Sequence, residues 1–275
     1  MSENQEQIDN WNGRTGEQWV RYQDELDRVL EPLGLAAMAR AQLASGERVF
    51  DIGCGCGATT LVLGERVGPS GHVLGVDVSA PMLGRAQARA AAATNITFRE
   101  SDAAITDFGA PVELVFSRFG VMFFADPVRA FQNLRRAGKR LAFACWGARS
   151  ENPWASIPAL AVAPFLPEGP PPDPFAPGPF AFADRARLAK ILTDAGWRDI
   201  AIEPTTLPLT WSRSADVAIA VDFFAHIGPA ARSLTEATPE LRAKALAALG
   251  SALTPILGPA GLVLPGAIYL VTATA

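Results

Sequence analysis

The chain has 275 residues, of which 49% are hydrophobic, enough for one large or two small globular domains with a buried core. The formal net charge is −4, and no stripe rich in lysine and arginine crosses the sequence, which argues against a nucleic-acid-binding protein. No apolar run reaches the roughly 18–20 residues of a membrane span, and the polar N-terminus lacks a signal-peptide pattern. The three cysteines are an odd number, so we expect no disulfide framework and a cytoplasmic location.

The first half of the chain has the pattern of an α/β protein. Helical periodicity covers roughly residues 15–30 and 34–44, so residues 1–44 are predicted to form a helical segment. From residue 45 to 149, short apolar strands alternate with helical stretches, which predicts a parallel, doubly wound sheet covered by helices. The predicted strands are 47–52, 72–77, 95–100, 112–117 and 139–146, and the helices between them include 79–93 and 126–137.

The second half contains two insertions, at 150–182 and 212–260. The first is crowded with Pro, Phe and Trp and is predicted to be too proline-rich for regular elements, whereas the second has a helical pattern. Each could be a surface elaboration or part of a cap over a ligand site. We favour a cap, because long inserts in compact domains are usually functional. The remaining elements are predicted as a helix over 184–196 and strands over 198–206 and 267–274.

The stretch DIGCGCGAT, residues 51–59, poses the main functional question, because it places two cysteines within a glycine-rich run. A metal site would need further ligands, and Cys145, His72 and His226 show no recognisable spacing for one. A redox Cys-x-x-Cys pair is also absent from the sequence. The sequence therefore predicts no metal site, and a strand-to-helix turn whose glycines let the backbone approach a ligand.

The identity of that ligand depends on two aspartates. The loop satisfies the dinucleotide pattern G-x-G-x-x-A, and Asp77 lies where a ribose-binding acid is expected. However, Asp51 would face a doubly negative pyrophosphate, whereas the ammonium group of S-adenosylmethionine would be attracted to it. Simpler interpretations remain open: Asp51 as a helix N-cap, Asp77 as a turn residue and Met82 as a core side chain. Together, at the ends of successive parallel strands, these residues favour a ligand site.

Four stretches, FDIGCGCG, GVDVSAPML, ESDAAI and VELVFSRFGVMFF, occur in that order between about 45 and 146. They resemble the successive motifs of class I S-adenosylmethionine-dependent methyltransferases, especially the small-molecule branch that includes ubiquinone- and menaquinone-biosynthesis enzymes. The resemblance implies a single methyltransferase domain over 1–275 with a cofactor-binding core at 45–149. It also implies a Rossmann-like seven-stranded sheet of order 3-2-1-4-5-7-6 with an antiparallel last strand, N-terminal helices and a cap. The connection RRAGKR before the fifth strand is shorter than the family usually has.

By position, the resemblance implies a set of cofactor-binding residues for S-adenosylmethionine. Gly53 and Gly55 would pass under the methionyl part, and Asp77 would accept from both ribose hydroxyls. The full set is Asp51, Gly53, Cys54, Gly55, Asp77, Val78, Met82, Asp102, Ala103 and Ser117.

The adenine and the methyl group would be bordered by later members of the set. Val78 and Met82 would pack on adenine, and Asp102 would accept from its amino group, with the Ala103 backbone nearby. Ser117 and Arg118, at the end of the fourth strand, would border the methyl group.

A catalytic residue is harder to assign, because methyl transfer can proceed by positioning and desolvation alone. His72 is expected to be structural, at the sheet edge opposite the ligand. His226 could be a general base or a helix cap, and Arg118 could hold an acidic substrate group or form a surface ion pair.

We therefore predict a methyltransferase whose partner is a small organic acceptor, apolar or aromatic, and not a nucleic acid; the oligomeric state is left open. No Asn/Asp-Pro-Pro-Tyr-like run follows the fourth strand, and no Pro-Cys nucleophile occurs, which argues against nucleic-acid bases as acceptors. The alternatives are an NAD(P)-dependent oxidoreductase and a non-catalytic S-adenosylmethionine-binding protein.

Overall fold

The computed structural model describes residues 4–166 and 173–275, and these form a seven-stranded sheet of order β3-β2-β1-β4-β5-β7-β6. The first five strands pair in parallel, while β7 lies antiparallel between β5 and β6. The predicted strand order and the placement of the last strand are confirmed. The strands are β1 (Arg48–Ile52), β2 (His72–Asp77), β3 (Ile96–Glu100), β4 (Val112–Arg118), β5 (Gly138–Trp146), β6 (Arg198–Ser212) and β7 (Leu262–Thr274).

Helices connect the strands and pack against the sheet, as expected for a Rossmann-like fold. α3 contacts β5, β6 and β7, α4 contacts β1 to β3, and α6 and α8 contact strands from β4 to β6. The helices are α1 (Gln5–Asn12), α2 (Arg14–Arg21), α3 (Gln23–Arg40), α4 (Ala58–Val67), α5 (Ala80–Arg89), α6 (Pro127–Ala137), α7 (Pro153–Val162), α8 (Arg185–Asp194), α9 (Val217–His226), α10 (Pro229–Glu236) and α11 (Pro239–Leu253).

The N-terminal helices differ from those predicted at 15–30 and 34–44. Two short helices, α1 and α2, precede α3, which continues without a break through Pro32. The side chains of Val29, Leu30 and Leu33 on α3 are buried in the core. This apolar contact offsets the backbone hydrogen bond that a proline removes, so the helix persists where the sequence pattern suggested a boundary.

The first insertion contradicts the prediction that residues 151–182 lack regular elements, because α7 forms within it. Pro153 occupies the first turn of α7, where a backbone N–H has no partner within the helix, so proline begins the helix instead of breaking it. The proline-rich run at 167–172 lies outside the described residues.

The last two strands are longer than predicted and hold the second insertion at one end. β6 continues past residue 206 to Ser212, and β7 begins at Leu262. α9, α10 and α11 lie between β6 and β7 in the chain, and α10 and α11 contact α7. Within the described residues no single helix is long and apolar enough to cross a membrane; α9 and the start of α10 reach that length only as a pair bent by 75°.

Candidate active site

The loop after β1 is a sharp turn that depends on glycine. Gly53, Gly55 and Gly57 have φ values of +66°, +55° and +82°. A Cβ atom on Gly53 would lie 2.5 Å from the Cα of Gly120, and one on Gly55 would lie 2.7 Å from Met82 Cε. Side chains are excluded here both by backbone conformation and by space. At Gly53 the close neighbour is another part of the chain, and contact of the loop with a ligand stays a prediction.

Asp51 lies at the end of β1 and is fully buried. Its Oδ2 accepts hydrogen bonds from the hydroxyls of Thr59 and Thr60, both at 2.7 Å, whereas no described residue hydrogen-bonds its buried Oδ1. Burial raises the pKa of Asp51 to about 6, although the two hydroxyls and Arg118 favour the charged form. The carboxylate bonds side chains of α4 and not its backbone N–H groups, so it is not the N-cap considered above.

Asp77 ends β2 and holds two backbone segments with one carboxylate. Its Oδ2 accepts from the N–H of Gly55 at 2.7 Å, and its Oδ1 accepts from the N–H of Ser79 at 2.9 Å. The side chain is half-buried, and burial raises its pKa against the effect of these hydrogen bonds. Asp77 therefore fixes the turn after β2 to the glycine loop and also borders the cavity described below.

The loop cysteines are buried free thiols. Burial raises the pKa of Cys56 to about 12 and that of Cys54 well above its usual value, so both stay protonated near neutral pH. Among residues 4–166 and 173–275, no group of three or more His, Cys, Asp or Glu could hold a metal ion.

A cavity of about 1130 Å³ opens at the carboxyl ends of β1, β2 and β4. Arg118 and most of the predicted cofactor-binding residues line it. The exceptions are Asp51, which lies beneath the loop, and Ser117. The lining members of the predicted set are Gly53, Cys54, Gly55, Asp77, Val78, Met82, Asp102 and Ala103.

The predicted adenine-binding residues are already engaged in part with the protein. Met82 is 4% exposed and contacts the loop near Gly55. Asp102 accepts from the N–H of Ala104 at 3.0 Å, and the carbonyl of Ala103 accepts from the Asn133 side chain at 3.0 Å. Their side chains and backbone nevertheless line the same part of the cavity, so their role stays a prediction.

The two residues that end β4 differ in their surroundings. The hydroxyl of Ser117 donates to the carbonyl of Ile52 at 2.8 Å and accepts from the N–H of Gly120 at 3.2 Å, so it joins the ends of β1 and β4. The side chain of Arg118 lines the cavity and makes no hydrogen bond or ion pair with a described residue. Burial lowers the pKa of Arg118, while the charges of Asp27 and Asp51 act in the opposite direction. An unpaired guanidinium beside a cavity is a candidate anion-binding group.

An aromatic wall forms the far side of the cavity, and we define it as Phe119, Trp146, Trp154, Phe180 and Trp211. Phe119 stacks on Trp146 with ring centroids 4.4 Å apart, and Trp154 stacks on Trp211 at 5.0 Å. Trp154 also contacts Trp146 at 4.6 Å and Phe180 at 6.0 Å. The wall is assembled from the ends of β4, β5 and β6, from α7 and from the first insertion, and it gives the cavity an apolar, aromatic surface.

Sequence reasoning missed the aromatic wall and the N-terminal part of the lining. Trp11 and Trp19 also border the cavity, and Trp11 packs edge-on against Trp19 and Phe123. The Trp11 carbonyl accepts from the hydroxyl of Ser79 at 2.7 Å, which joins the α1 end to the start of α5. These residues carry no motif spacing, and only their residue type could have marked them.

The two histidines lie in different places. His72 begins β2, and its Nε2 lies 3.3 Å from the hydroxyl of Thr97, outside the cavity lining. His226 ends α9, lines the cavity and is 17% exposed. The second insertion therefore contributes to the cavity lining, and its role as a cap stays a prediction.

Comparisons with known proteins find similarities in the first half of the chain. Residues 49–140 match a family model described as "Methyltransferase domain". The chain is 34% identical over 118 residues to aklanonic acid methyltransferase of Streptomyces sp. (strain C5), which covers 41% of this chain and 54% of that protein. It is 32% identical over 120 residues to trans-aconitate 2-methyltransferase of Azoarcus sp. (strain BH72), covering 44% of each. The chain thus spans about half the length of the curated relatives it matches.

Solved structures agree on the fold. A protein from Anabaena variabilis ATCC 29413 superposes with a TM-score of 0.63 at 17% identity, covering 90% of this chain and 99% of that one. The [4+2]-cyclase SpnF superposes with a TM-score of 0.53 at 16% identity, covering 88% and 80%. One fold therefore hosts reactions of different types, so the reaction has to be argued from the site.

Proposed function

We propose that this chain, which carries a class I S-adenosylmethionine-dependent methyltransferase domain, transfers the methyl group of S-adenosylmethionine to a small organic acceptor bound against the aromatic wall. The core at 45–149 would hold the cofactor, and the insertions at 150–182 and 212–260 would enclose the acceptor. The relatives' names support methyl transfer, while the substrates they name differ widely.

One observation carries the proposal: two groups of opposite charge, each without a full set of partners, flank the glycine loop. Asp51 has an unsatisfied carboxylate oxygen beneath the loop, and Arg118 has an unpaired guanidinium at the cavity. They are near enough to influence each other's ionisation but form no direct ion pair. An α-amino acid end, with its ammonium and carboxylate, matches this arrangement, and S-adenosylmethionine has one.

A dinucleotide fits the same site less well. Its pyrophosphate carries two negative charges and would lie at the loop above the buried carboxylate of Asp51. The ribose hydroxyls of S-adenosylmethionine and of a dinucleotide are equally compatible with Asp77. The charge beneath the loop therefore favours S-adenosylmethionine over NAD.

When bound, S-adenosylmethionine supplies an electrophilic methyl carbon on a positively charged sulfur. The residues of this chain orient it: Arg118 toward the methionyl carboxylate, Asp77 toward the ribose hydroxyls, and Val78 and Met82 toward adenine. The aromatic wall holds the acceptor and keeps water away from the reacting atoms, so the bound pair reacts without a desolvation step. An apolar or aromatic acceptor is the best match for stacked indole rings.

A cytoplasmic location stays a prediction. Its support is that Cys54, Cys56 and Cys145 are all free and buried, as is usual in a reducing compartment.

Calorimetry with two ligands tests the proposal. S-adenosylhomocysteine carries the amino acid end, and 5′-methylthioadenosine lacks it. We expect Arg118→Met to weaken S-adenosylhomocysteine binding by about tenfold or more and to leave 5′-methylthioadenosine binding unchanged. Arg149→Met, which removes an exposed arginine from elsewhere in the cavity lining, is the matched control and should affect neither ligand. Equal losses for both ligands in Arg118→Met would contradict the assignment.

A further inference from the structure

A polar cluster that the proposed cofactor site does not use lies where α9 meets the start of α3. It consists of His226, Tyr22 and Asp222. His226 lines the cavity, whereas Tyr22 and Asp222 do not. The rings of Tyr22 and His226 stack with centroids 5.6 Å apart and an interplanar angle of 24°. This packing holds the imidazole in one orientation.

The hydrogen bonds of the cluster define which nitrogen of His226 carries the proton. Nδ1 lies 2.8 Å from the backbone carbonyl of Asp222, which can only accept a hydrogen bond. Nδ1 also lies 3.0 Å from the Tyr22 hydroxyl, which donates its own proton to Asp222 Oδ2 at 2.5 Å. Burial and the Asp222 charge raise the pKa of Tyr22 to about 12, so the phenol keeps that proton. Both contacts therefore require a proton on Nδ1 of the neutral ring.

The opposite nitrogen is then a free acceptor. With the proton on Nδ1, Nε2 of the neutral ring presents a lone pair, and no residue within 4–166 and 173–275 hydrogen-bonds it. The Oδ1 atom of Asp222 lies 3.4 Å from Nδ1, so this carboxylate is also next to the protonated nitrogen and leaves Nε2 unoccupied. This combination is what a general base requires.

A chain of ring contacts also joins the imidazole of His226 to the aromatic wall. Tyr22 contacts Phe223 at 5.7 Å, and Phe223 contacts Trp211 of the wall at 6.0 Å. A ring bound against the wall would thus share one cavity with His226 and with the glycine loop.

We propose that His226 is the general base of the methyl transfer and that the acceptor is a hydroxyl group on an aromatic ring. This rests on the function proposed above and narrows the acceptor to one class. A carboxylate acceptor is already ionised near neutral pH and needs no base, whereas a phenolic hydroxyl gains from one.

The proposed step moves one proton and one methyl group. The acceptor oxygen gives its proton to Nε2 of His226 and uses the released electron pair to bond to the methyl carbon. The electrons of the broken carbon–sulfur bond stay on sulfur, which becomes a neutral thioether. The imidazolium next to Asp222 then returns the proton to solvent.

Nitrogen-15 NMR of the histidine rings tests the tautomer, because the chain has only two histidines. His72→Gln leaves His226 as the single signal and removes a ring outside the cavity lining. We expect the neutral His226 ring to carry its proton on Nδ1, with an unprotonated Nε2. A proton on Nε2 would overturn the proposal.

The same variant, saturated with S-adenosylhomocysteine, is then titrated with 2-naphthol and with 2-methoxynaphthalene, which has no hydroxyl proton to donate. We expect 2-naphthol alone to shift the Nε2 resonance. We also expect His226→Asn to weaken 2-naphthol binding by about tenfold while leaving 2-methoxynaphthalene and S-adenosylhomocysteine binding unchanged. An Nε2 resonance that 2-naphthol does not shift overturns the base assignment. Failure of the natural chain to bind S-adenosylhomocysteine would instead contradict the proposed function.

Discussion

The glycine loop and the aromatic wall border the same cavity, but different forces hold them in place. At the loop, backbone atoms determine the geometry: Gly53 crosses Gly120 closely, and Asp77 binds the N–H of Gly55. In the aromatic wall, side-chain packing determines it, through rings such as Trp154 and Trp211 that are far apart in sequence. The loop geometry therefore depends on glycine at fixed positions, whereas the geometry of the wall depends on how well large side chains fit together.

The largest effect is expected at the loop, for Gly53→Ala. The substitution places a Cβ 2.5 Å from Gly120 Cα and forces alanine to a φ of +66°. We expect the free energy of unfolding to fall by roughly 2–5 kcal/mol and S-adenosylhomocysteine binding to be lost.

The control is Gly84→Ala on α5, where an added Cβ meets nothing within 4 Å. Alanine favours a helix, so this variant should unfold at the same temperature or slightly higher. Equal unfolding temperatures for Gly53→Ala and Gly84→Ala would show that the loop can accommodate a side chain at position 53.

The second effect concerns pH, through Asp51. Its pKa is about 6 in the folded chain against 3.8 for an ordinary aspartate, so the folded protein holds the proton more tightly. The stability from this group is present below about pH 4 and is lost as the pH rises through about 6. From pH 4 to pH 7, the free energy of unfolding of the natural protein should therefore fall by up to about 3 kcal/mol relative to that of Asp51→Asn. Denaturant unfolding of both proteins at the two pH values measures this difference.

The same variant should bind S-adenosylhomocysteine more weakly, because the loop loses the negative charge beneath it. If the free energy of unfolding had the same pH dependence in the natural protein and in Asp51→Asn, Asp51 would be ionised as easily in the folded chain as in water.

A third, smaller effect is expected for Asp77→Ala. We expect S-adenosylhomocysteine binding to weaken by about ten- to a hundredfold, because hydrogen bonds to a charged acceptor are lost. Stability should fall as well, since the N–H groups of Gly55 and Ser79 lose their acceptor. A carboxylate that bound only the ribose would produce no such loss of stability. Calorimetry measures the affinity of the variant, and thermal unfolding measures its stability.

Asp107→Ala is the matched control, because Asp107 makes a comparable turn contact, to the N–H of Gly109 at 2.8 Å, outside the main cavity. It should lower stability slightly and leave ligand affinity unchanged. If Asp77→Ala also left affinity unchanged, the residue would be only a turn former.

The smallest effect is expected for the double variant Cys54→Ala, Cys56→Ala. Both thiols are buried and protonated, and the loop presents its backbone to the cavity. S-adenosylhomocysteine affinity should stay within about severalfold, with a modest loss of stability from the removed sulfur atoms. Stoichiometric zinc in the natural protein that is absent from this variant would contradict the interpretation.

The same contrast explains what the sequence could predict. The five parallel strands and the loop were predictable because alternating apolar runs and glycines at positions such as Gly53 reflect local backbone requirements. The order of all seven strands followed only from the family resemblance. The aromatic wall was not predictable, because the contact of Trp146 with Trp154 depends on how α7 returns to the sheet. Likewise, the hydrogen bonds of His226 involve Tyr22, about two hundred positions away, and leave no spacing to recognise.

Titration calorimetry of the natural chain with S-adenosylhomocysteine and, in parallel, NAD tests the central claim most directly. The account predicts one S-adenosylhomocysteine bound per chain and no heat of binding from NAD, because Asp51 and Arg118 match an amino acid end and not a pyrophosphate. Binding of NAD without binding of S-adenosylhomocysteine would contradict it and would assign the cavity to a dinucleotide.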